Sequence, residues 1–420
     1  MPSRLFLTDL VYSRGLVPRA AMGRIWRFVA ARALNTFGRA VINTTVLWEL
    51  YDRTHDKLVL ASVGMMQVIP VIALFVHVGA IVDRFDRRRL ATFAALGTGT
   101  VGVGLAIASS VSAPVWVYLA LLLLQGCVVA IHSPASSALL VHIAPRGMLP
   151  RANRLLSSLS ETAQITAPAC AGLALLVLEA RFIYAVVALT ALASASFYGS
   201  LPPLRERRKD ASPADWRVGL RFIFRSPLLL SALTLDMFAI LFAGVVALLP
   251  AIATDLLHVG PFGYGILRAS QPVGAVAMAI VGGRLPAWRH PGRVLLIVVA
   301  LYGLATIGVG LSTWLPFTAV LLFACGALDN ISVIIRLTLE QLLVPDAIRG
   351  RVAAVHNVFI GMSNELGAAE SGLAAQLFGT VIAIVGGGVA AVIVAGVVVV
   401  KWPQLSRMPP LSELKPPDES

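Results

Sequence analysis

The sequence is short of charge. Asp, Glu, Lys and Arg make up 13% of its 420 residues, against about 25% in a soluble domain. That is too few to cover a water-facing surface of this size. Cysteine is scarce as well. Cys127, Cys170 and Cys325 each fall inside an apolar stretch. They have no metal-ligand spacing and no obvious disulfide partner, so they read as small packing residues. No glycine-rich phosphate loop ending in Lys-Ser or Lys-Thr is present, which counts against a nucleotide-driven pump. His132 and His142 lie ten residues apart and do not form a ligand pair. No metal site, cofactor motif or catalytic triad is legible, so an enzyme is not expected. The net charge of +13 does not point to nucleic acid, because the basic residues lie between apolar stretches and not on one surface. The first apolar stretch runs past Trp48 without a small-residue cleavage site, so it reads as a retained helix.

What is present is hydrophobicity, at 58% of residues, in stretches near 20 residues long. That is the length that crosses roughly 30 Å of hydrocarbon. The class is therefore an all-α polytopic membrane protein. Twelve spans are expected, at about 28–50, 58–80, 89–110, 114–142, 152–178 and 181–201, then 228–254, 262–284, 292–312, 315–343, 350–376 and 380–401. These give an N-terminal segment 1–27, a six-helix bundle 28–201, a linker 202–227, a second six-helix bundle 228–401 and a tail 402–420. In the linker, Trp216, Leu220, Phe222, Ile223 and Phe224 alternate with Arg217, Arg221 and Arg225. This is the pattern of an amphipathic helix on an anionic membrane surface, or of a plain hinge. With both termini cytoplasmic, 27 of the 34 basic residues fall on the cytoplasmic side and three on the other. An error of one span would scramble that division, so it supports both the count and the orientation.

The halves repeat. Segment 263–293 follows the seventh span as 60–90 follows the first, and Pro145–Leu156 has a partner in Pro345–Val352. Many transporters are built from such repeats. The loop GAIVDRFDRRRL at 79–90 resembles the loop between helices 2 and 3 of the major facilitator superfamily. Residues 30–54, PRANRLL at 150–156, FRSPLLL at 224–230 and RGRVAAVHN at 349–357 are similar to its drug and siderophore exporter branch. The sequence departs from the family pattern in three places. Asp86 replaces a loop glycine, alanine precedes Pro168 where the antiporter signature has glycine, and the fourth span lacks an arginine in LALLLLQG (119–126).

The resemblance implies that the first, fourth, seventh and tenth spans line a central cavity. Arg32, Asn35, Arg39 and Asn43 form one stripe of the first span, and Asp329, Arg336 and Glu340 one face of the tenth. Asn35, Arg39, Asn43, Asp329 and Arg336, with Gln125, Asp236 and Asn357, are the candidates for contact with cargo, whereas Arg32 and Glu340 lie nearer the cytoplasmic ends and suit pairing at a gate equally well. Pairing between helices is the competing role for every charged member. His356, beside Asn357, is a further candidate for a polar cavity or proton-path residue. Asp236 is the first candidate for proton coupling, since no basic residue lies within a turn of it. Glu365 and Glu370 follow. The resemblance also implies a cytoplasmic latch at Gly79, Asp83, Arg84, Arg87 and Arg88, with Arg349 and Arg351 in the second half. Plain topogenic charge would look the same.

The expected function is proton-coupled export of small amphipathic or siderophore-like molecules across a bacterial inner membrane. The expected partners are a small-molecule substrate and membrane lipids, with the monomer as the working unit. A lipid or lysolipid flippase, or an uptake symporter, is the alternative.

Overall fold

The computed structural model describes residues 19–145, 148–203, 216–282, 288–345 and 348–413. The surroundings of Gly79 and the side chains of Asp83, Glu161, Arg349 and Asn357 lie outside the described structure.

The described chain is helical throughout. The N-terminal half comprises α1 (Arg19–Thr54), α2 (Lys57–Arg84), α3 (Arg87–Ser110), α4 (Val115–Ile143), α5 (Leu149–Ala174) and α6 (Ala180–Gly199). A short linker helix, α7 (Trp216–Arg225), precedes the second half. That half comprises α8 (Pro227–Ala243), α9 (Gly260–Gly282), α10 (Pro291–Leu311), α11 (Leu315–Leu343), α12 (Arg349–Phe378) and α13 (Thr380–Lys401). Backbone groups cannot be satisfied by lipid, so uninterrupted helices are the stable way across. Their ends are set locally. Asp56 caps α2 by accepting from the Leu58 N–H at 2.9 Å, and Asp86 caps α3 through the Arg88 N–H at 2.8 Å. Gly379, at φ +90°, turns α12 into α13.

Among the described residues, nine helices are long and apolar enough to cross a membrane. The other three long helices are α1, α5 and α12, whose polar residues lower their hydropathy. Each of the three contributes polar side chains to the central cavity.

The structure departs from the expected spans in two places. α1 is already helical at Arg19, the first described residue, and so carries Arg24 and Arg27 ahead of the apolar stretch. The seventh span is not one helix. α8 stops at Gly244, continues as a 3₁₀ turn over Val245–Leu248, and ends in a π-helical turn over Ile252–Leu256. Pro250 contributes no N–H to this stretch, which removes a helical hydrogen bond where the break occurs.

The repeat is visible in the packing. A Cβ on Gly126 of α4 would sit 2.7 Å from the Gln67 carbonyl of α2. A Cβ on Gly326 of α11 would meet the Gln271 carbonyl of α9 even more closely. Only glycine permits these approaches. They press α2 on α4 and α9 on α11, and both glutamines reach the cavity.

The two ends of the molecule are packed differently. At the end away from the termini, one core runs through both halves. It joins Val46, Leu50, Tyr51, Leu60 and Tyr184 to Leu248, Ile252, Tyr264 and Leu267. At the termini-bearing end the cores are separate. One holds Phe28, Leu139 and Tyr198 of the first half; another holds Leu235, Leu295 and Leu339 of the second. Across the halves, α2 packs on α12 and α5 on α9. Gly172 and Gly265 meet there almost backbone to backbone.

Candidate functional site

Between the halves lies a cavity of about 520 Å³. That is within the usual range for small-molecule sites, roughly 300–1,000 Å³. α1 contributes Arg32, Arg39 and Asn43; α2 contributes Gln67; α4 contributes Gln125; α9 contributes Arg268 and Gln271. Asp329 of α11 and Glu365 of α12 supply the acidic groups, with Leu47, Leu60, Val63 and Ile240 among the apolar ones. The wall is thus mixed, with three arginines, two carboxylates and several amides against aliphatic side chains.

The α1 stripe is divided by its geometry. Arg32, Arg39 and Asn43 face the cavity, but Asn35 does not. The three-residue step from Arg32 leaves Asn35 about 60° round the helix. It is buried, with its amide donating to Thr98 at 3.3 Å. Arg32 is tied to Ser136 at 3.0 Å and Ser137 at 3.2 Å. Asn43 accepts from Gln67 at 3.3 Å, and Gln125 approaches Thr98 at 3.5 Å. Arg39 makes no hydrogen bond or salt bridge among the described residues. It lies within electrostatic reach of Glu365, as does Arg268. Arg268 donates to the Thr44 hydroxyl at 3.3 Å across the halves.

In the second half the structure brings out the competing role, pairing between helices. No basic residue lies within a turn of Asp236 along α8, but buried Arg336 of α11 forms a salt bridge with it. Residues a hundred positions apart meet here, which spacing along one helix cannot show. Arg336 is therefore held inside the bundle and is not a cavity-lining residue. Glu340 hydrogen-bonds to His356 of α12, so His356 is buried against α11 and does not line the cavity. Glu370 is half-buried beside the Ser371 hydroxyl at 3.4 Å and does not line the cavity either. Asp329 faces two spaces. Besides the main cavity it lines a small one of about 20 Å³ with Asp236, Tyr302 and Ser332, room for about one water molecule.

At the termini-bearing end, Arg87 reaches the His142 ring at 2.8 Å, and Arg88 donates to the Leu201 carbonyl at 2.7 Å. Both bonds stay inside the N-terminal half. Arg84 is exposed. In the second half, α7 is pressed on α12: a Cβ on Gly219 would sit 2.7 Å from the Arg351 carbonyl.

The far end is closed by contacts between α1 and the broken α8–α9 region. Tyr51 hydrogen-bonds to Asp255, which the π-helical turn presents. Trp48 stacks on Tyr264 at 4.9 Å, and the Tyr264 hydroxyl donates to the Thr44 carbonyl at 2.9 Å. Behind them Glu49 accepts from Tyr118 at 2.7 Å and from Tyr184 at 2.8 Å.

Residues 28–368 match the model of the Major Facilitator Superfamily. This chain belongs to that superfamily. It is a multi-pass membrane transporter and not an enzyme. Macrolide efflux protein A of Streptococcus pyogenes is 24% identical over 369 residues, covering 84% of this chain and 89% of that protein. The enterobactin exporter EntS of Citrobacter koseri is 24% identical over 351 residues, covering 81% and 83%. A bacterial homologue of the human lysosomal transporter Spinster, solved in an inward-facing and occupied conformation, superposes with a TM-score of 0.71. It shares 14% identity and covers 93% of this chain and 98% of its own.

Sequence reasoning did not place Gln67, Gln164, Gln271 or Tyr302 at the site. A signal existed for two of them. Gln67 and Gln271 stand at matching positions of the two halves, each followed within one turn by a proline, Pro70 or Pro272.

Proposed function

We propose that this superfamily member is a proton-coupled exporter of small amphipathic molecules from a bacterial cytoplasm. The observation that carries the reading is the cavity between the halves, closed on one side and furnished with mixed polar and apolar walls. The concentration of basic residues at the termini-bearing end supports a cytoplasmic position for that end, and with it the reading of this state as inward-facing. Cargo enters from the cytoplasm and leaves when the Tyr51–Asp255 side opens. Macrolides and enterobactin, the cargo that the relatives' names suggest, are the first compounds to test.

In this reading, Asp329 and Asp236 form the proton-coupling unit. Asp329 is open to the cavity, and the small space beside it leads to Asp236. Arg39, Arg268 and Glu365 contact cargo. A carboxylate that gains and loses a proton as the cavity alternates is what coupling needs.

The test uses purified protein in liposomes loaded with a pH-sensitive dye, with a macrolide or enterobactin added outside. Substrate-dependent proton movement is expected in wild type and lost in both Asp329→Asn and Asp236→Asn. Glu365→Gln should keep the proton movement and change the substrate concentration that half-saturates it. Cargo movement without proton movement in wild type would defeat the proton-coupled reading and favour a flippase or facilitator.

A further inference from the structure

Two arginines reach the cavity from opposite halves and converge on one stretch of α1. Arg39 stands on α1 itself. Arg268 of α9 crosses between the halves and donates through Nε to the Thr44 hydroxyl at 3.3 Å. Positions five residues apart on one helix are separated by about 7.5 Å along its axis. Glu365 of α12 lies within electrostatic reach of both guanidinium groups. The three charges therefore surround the part of the cavity next to its closed end, where Tyr264 donates to the Thr44 carbonyl.

Most of the donors on these two arginines have no protein partner. A guanidinium carries five N–H donors in a planar fork. Arg39 uses none of them and Arg268 uses only Nε, among the described residues. Both side chains line the cavity and are half-buried. The other charges of the wall are engaged elsewhere. Arg32 donates to Ser136 and Ser137. Asp329 lies within electrostatic reach of Arg336 and shares the small space with Asp236. Three arginines thus face two carboxylates among the described lining residues. Beside α1 the balance is two arginines to one glutamate. One positive charge is left over, in a cavity whose remaining wall includes Leu47, Leu60, Val63 and Ile240. An uncompensated charge away from bulk water is costly.

We propose that the cargo is an amphipathic acid, with its singly charged anionic head held between Arg39 and Arg268 and its apolar body against Leu47, Leu60, Val63 and Ile240. A carboxylate accepts two parallel N–H bonds from a guanidinium fork, and the free edges of both forks are available for this. Glu365 limits the excess to one positive charge, so a head of one negative charge balances the site. A cargo ending in an ammonium group would instead meet two like charges. The grip also depends on the conformational state. Arg39 belongs to the first half and Arg268 to the second, so opening the far end draws Arg268 away from Thr44 and from Arg39. The head then loses one of its two partners on the side where cargo leaves. The assignment rests on the reading of this cavity as the cargo site, and it does not depend on proton coupling.

The experiment measures binding to the purified protein in dodecyl maltoside, with no gradient present. The probes are three forms of one dansylated six-carbon chain, ending in a carboxylate, a carboxamide or an ammonium group. Fluorescence anisotropy is read against protein-free micelles. The carboxylate should bind about tenfold tighter than the carboxamide, as expected of charged hydrogen bonds, and the ammonium form most weakly. Arg39→Gln and Arg268→Gln should each bring the carboxylate close to the carboxamide and leave the carboxamide unchanged. Glu365→Gln should tighten the carboxylate and weaken the ammonium form further. If Arg268→Gln does not fold without its bond to Thr44, Arg39→Gln, which removes no bond of the protein, decides alone. A carboxylate that binds no tighter than the carboxamide, or fails to bind, would overturn the proposal. So would an Arg39→Gln protein that weakens all three probes equally, or none of them. Cargo movement without proton movement would defeat the coupling proposed above and leave this binding result standing.

Discussion

Glu49 accepts hydrogen bonds from the buried hydroxyls of Tyr118 and Tyr184, and Arg53 lies 3.6 Å away. Its charge is committed to holding α1, α4 and α6 together. Glu365 is the opposite case: it faces the cavity and has arginines within electrostatic reach, but no hydrogen bond holds it among the described residues. Substitution should separate the two. Glu49→Gln removes half of a buried, bonded charge set and should cost about 2–4 kcal/mol of stability, read as a lower melting temperature in detergent. Glu365→Gln should leave the melting temperature near wild type and alter cargo affinity. The sequence marks both as acidic residues in or near spans, but not which one is tied. The ties come from tyrosines 69 and 135 positions away. The same limit applies to Asp236, whose lack of a nearby basic residue along its own helix says nothing about α11.

At the scale of elements, hydropathy and charge place most helices well. α11 at Leu315–Leu343 and α13 at Thr380–Lys401 coincide with their apolar stretches. The break in the seventh span is not legible, since 237–253 is apolar throughout and an apolar run carries no sign of a changed helical pitch. Gly244 and Pro250 were the available marks. The linker helix α7 is defined by its two faces. Gly219 and Ile223 are buried, the latter against Leu229, Val352 and Val355, whereas Arg217, Arg221 and Phe224 are exposed. Gly219→Leu would push a side chain into the Arg351 carbonyl. It should detach α7 from α12, and limited proteolysis should then cut within 216–225, where wild type resists.

At the scale of the whole molecule, one shared core closes the far end and separate cores leave the near end divided. No single span reveals this. The sequence carries the twofold repeat and the side on which the basic residues collect, but the conformational state depends on which residues of the two halves touch. Tyr51 and Asp255 are such a pair. Cysteines at both positions should form a disulfide on oxidation, hold this end shut and stop transport. Reduction should restore it. Full transport in the cross-linked protein would place the exit elsewhere.

The most direct measurement of the account as a whole is cargo accumulation in inside-out membrane vesicles carrying the protein. On the proposed orientation the termini-bearing face is outermost there, and respiration acidifies the interior. The account predicts that a labelled macrolide or enterobactin accumulates inside against its gradient, and that collapsing the proton gradient with nigericin releases it. Uptake that only equilibrates, or accumulation that survives nigericin, would contradict proton-coupled export.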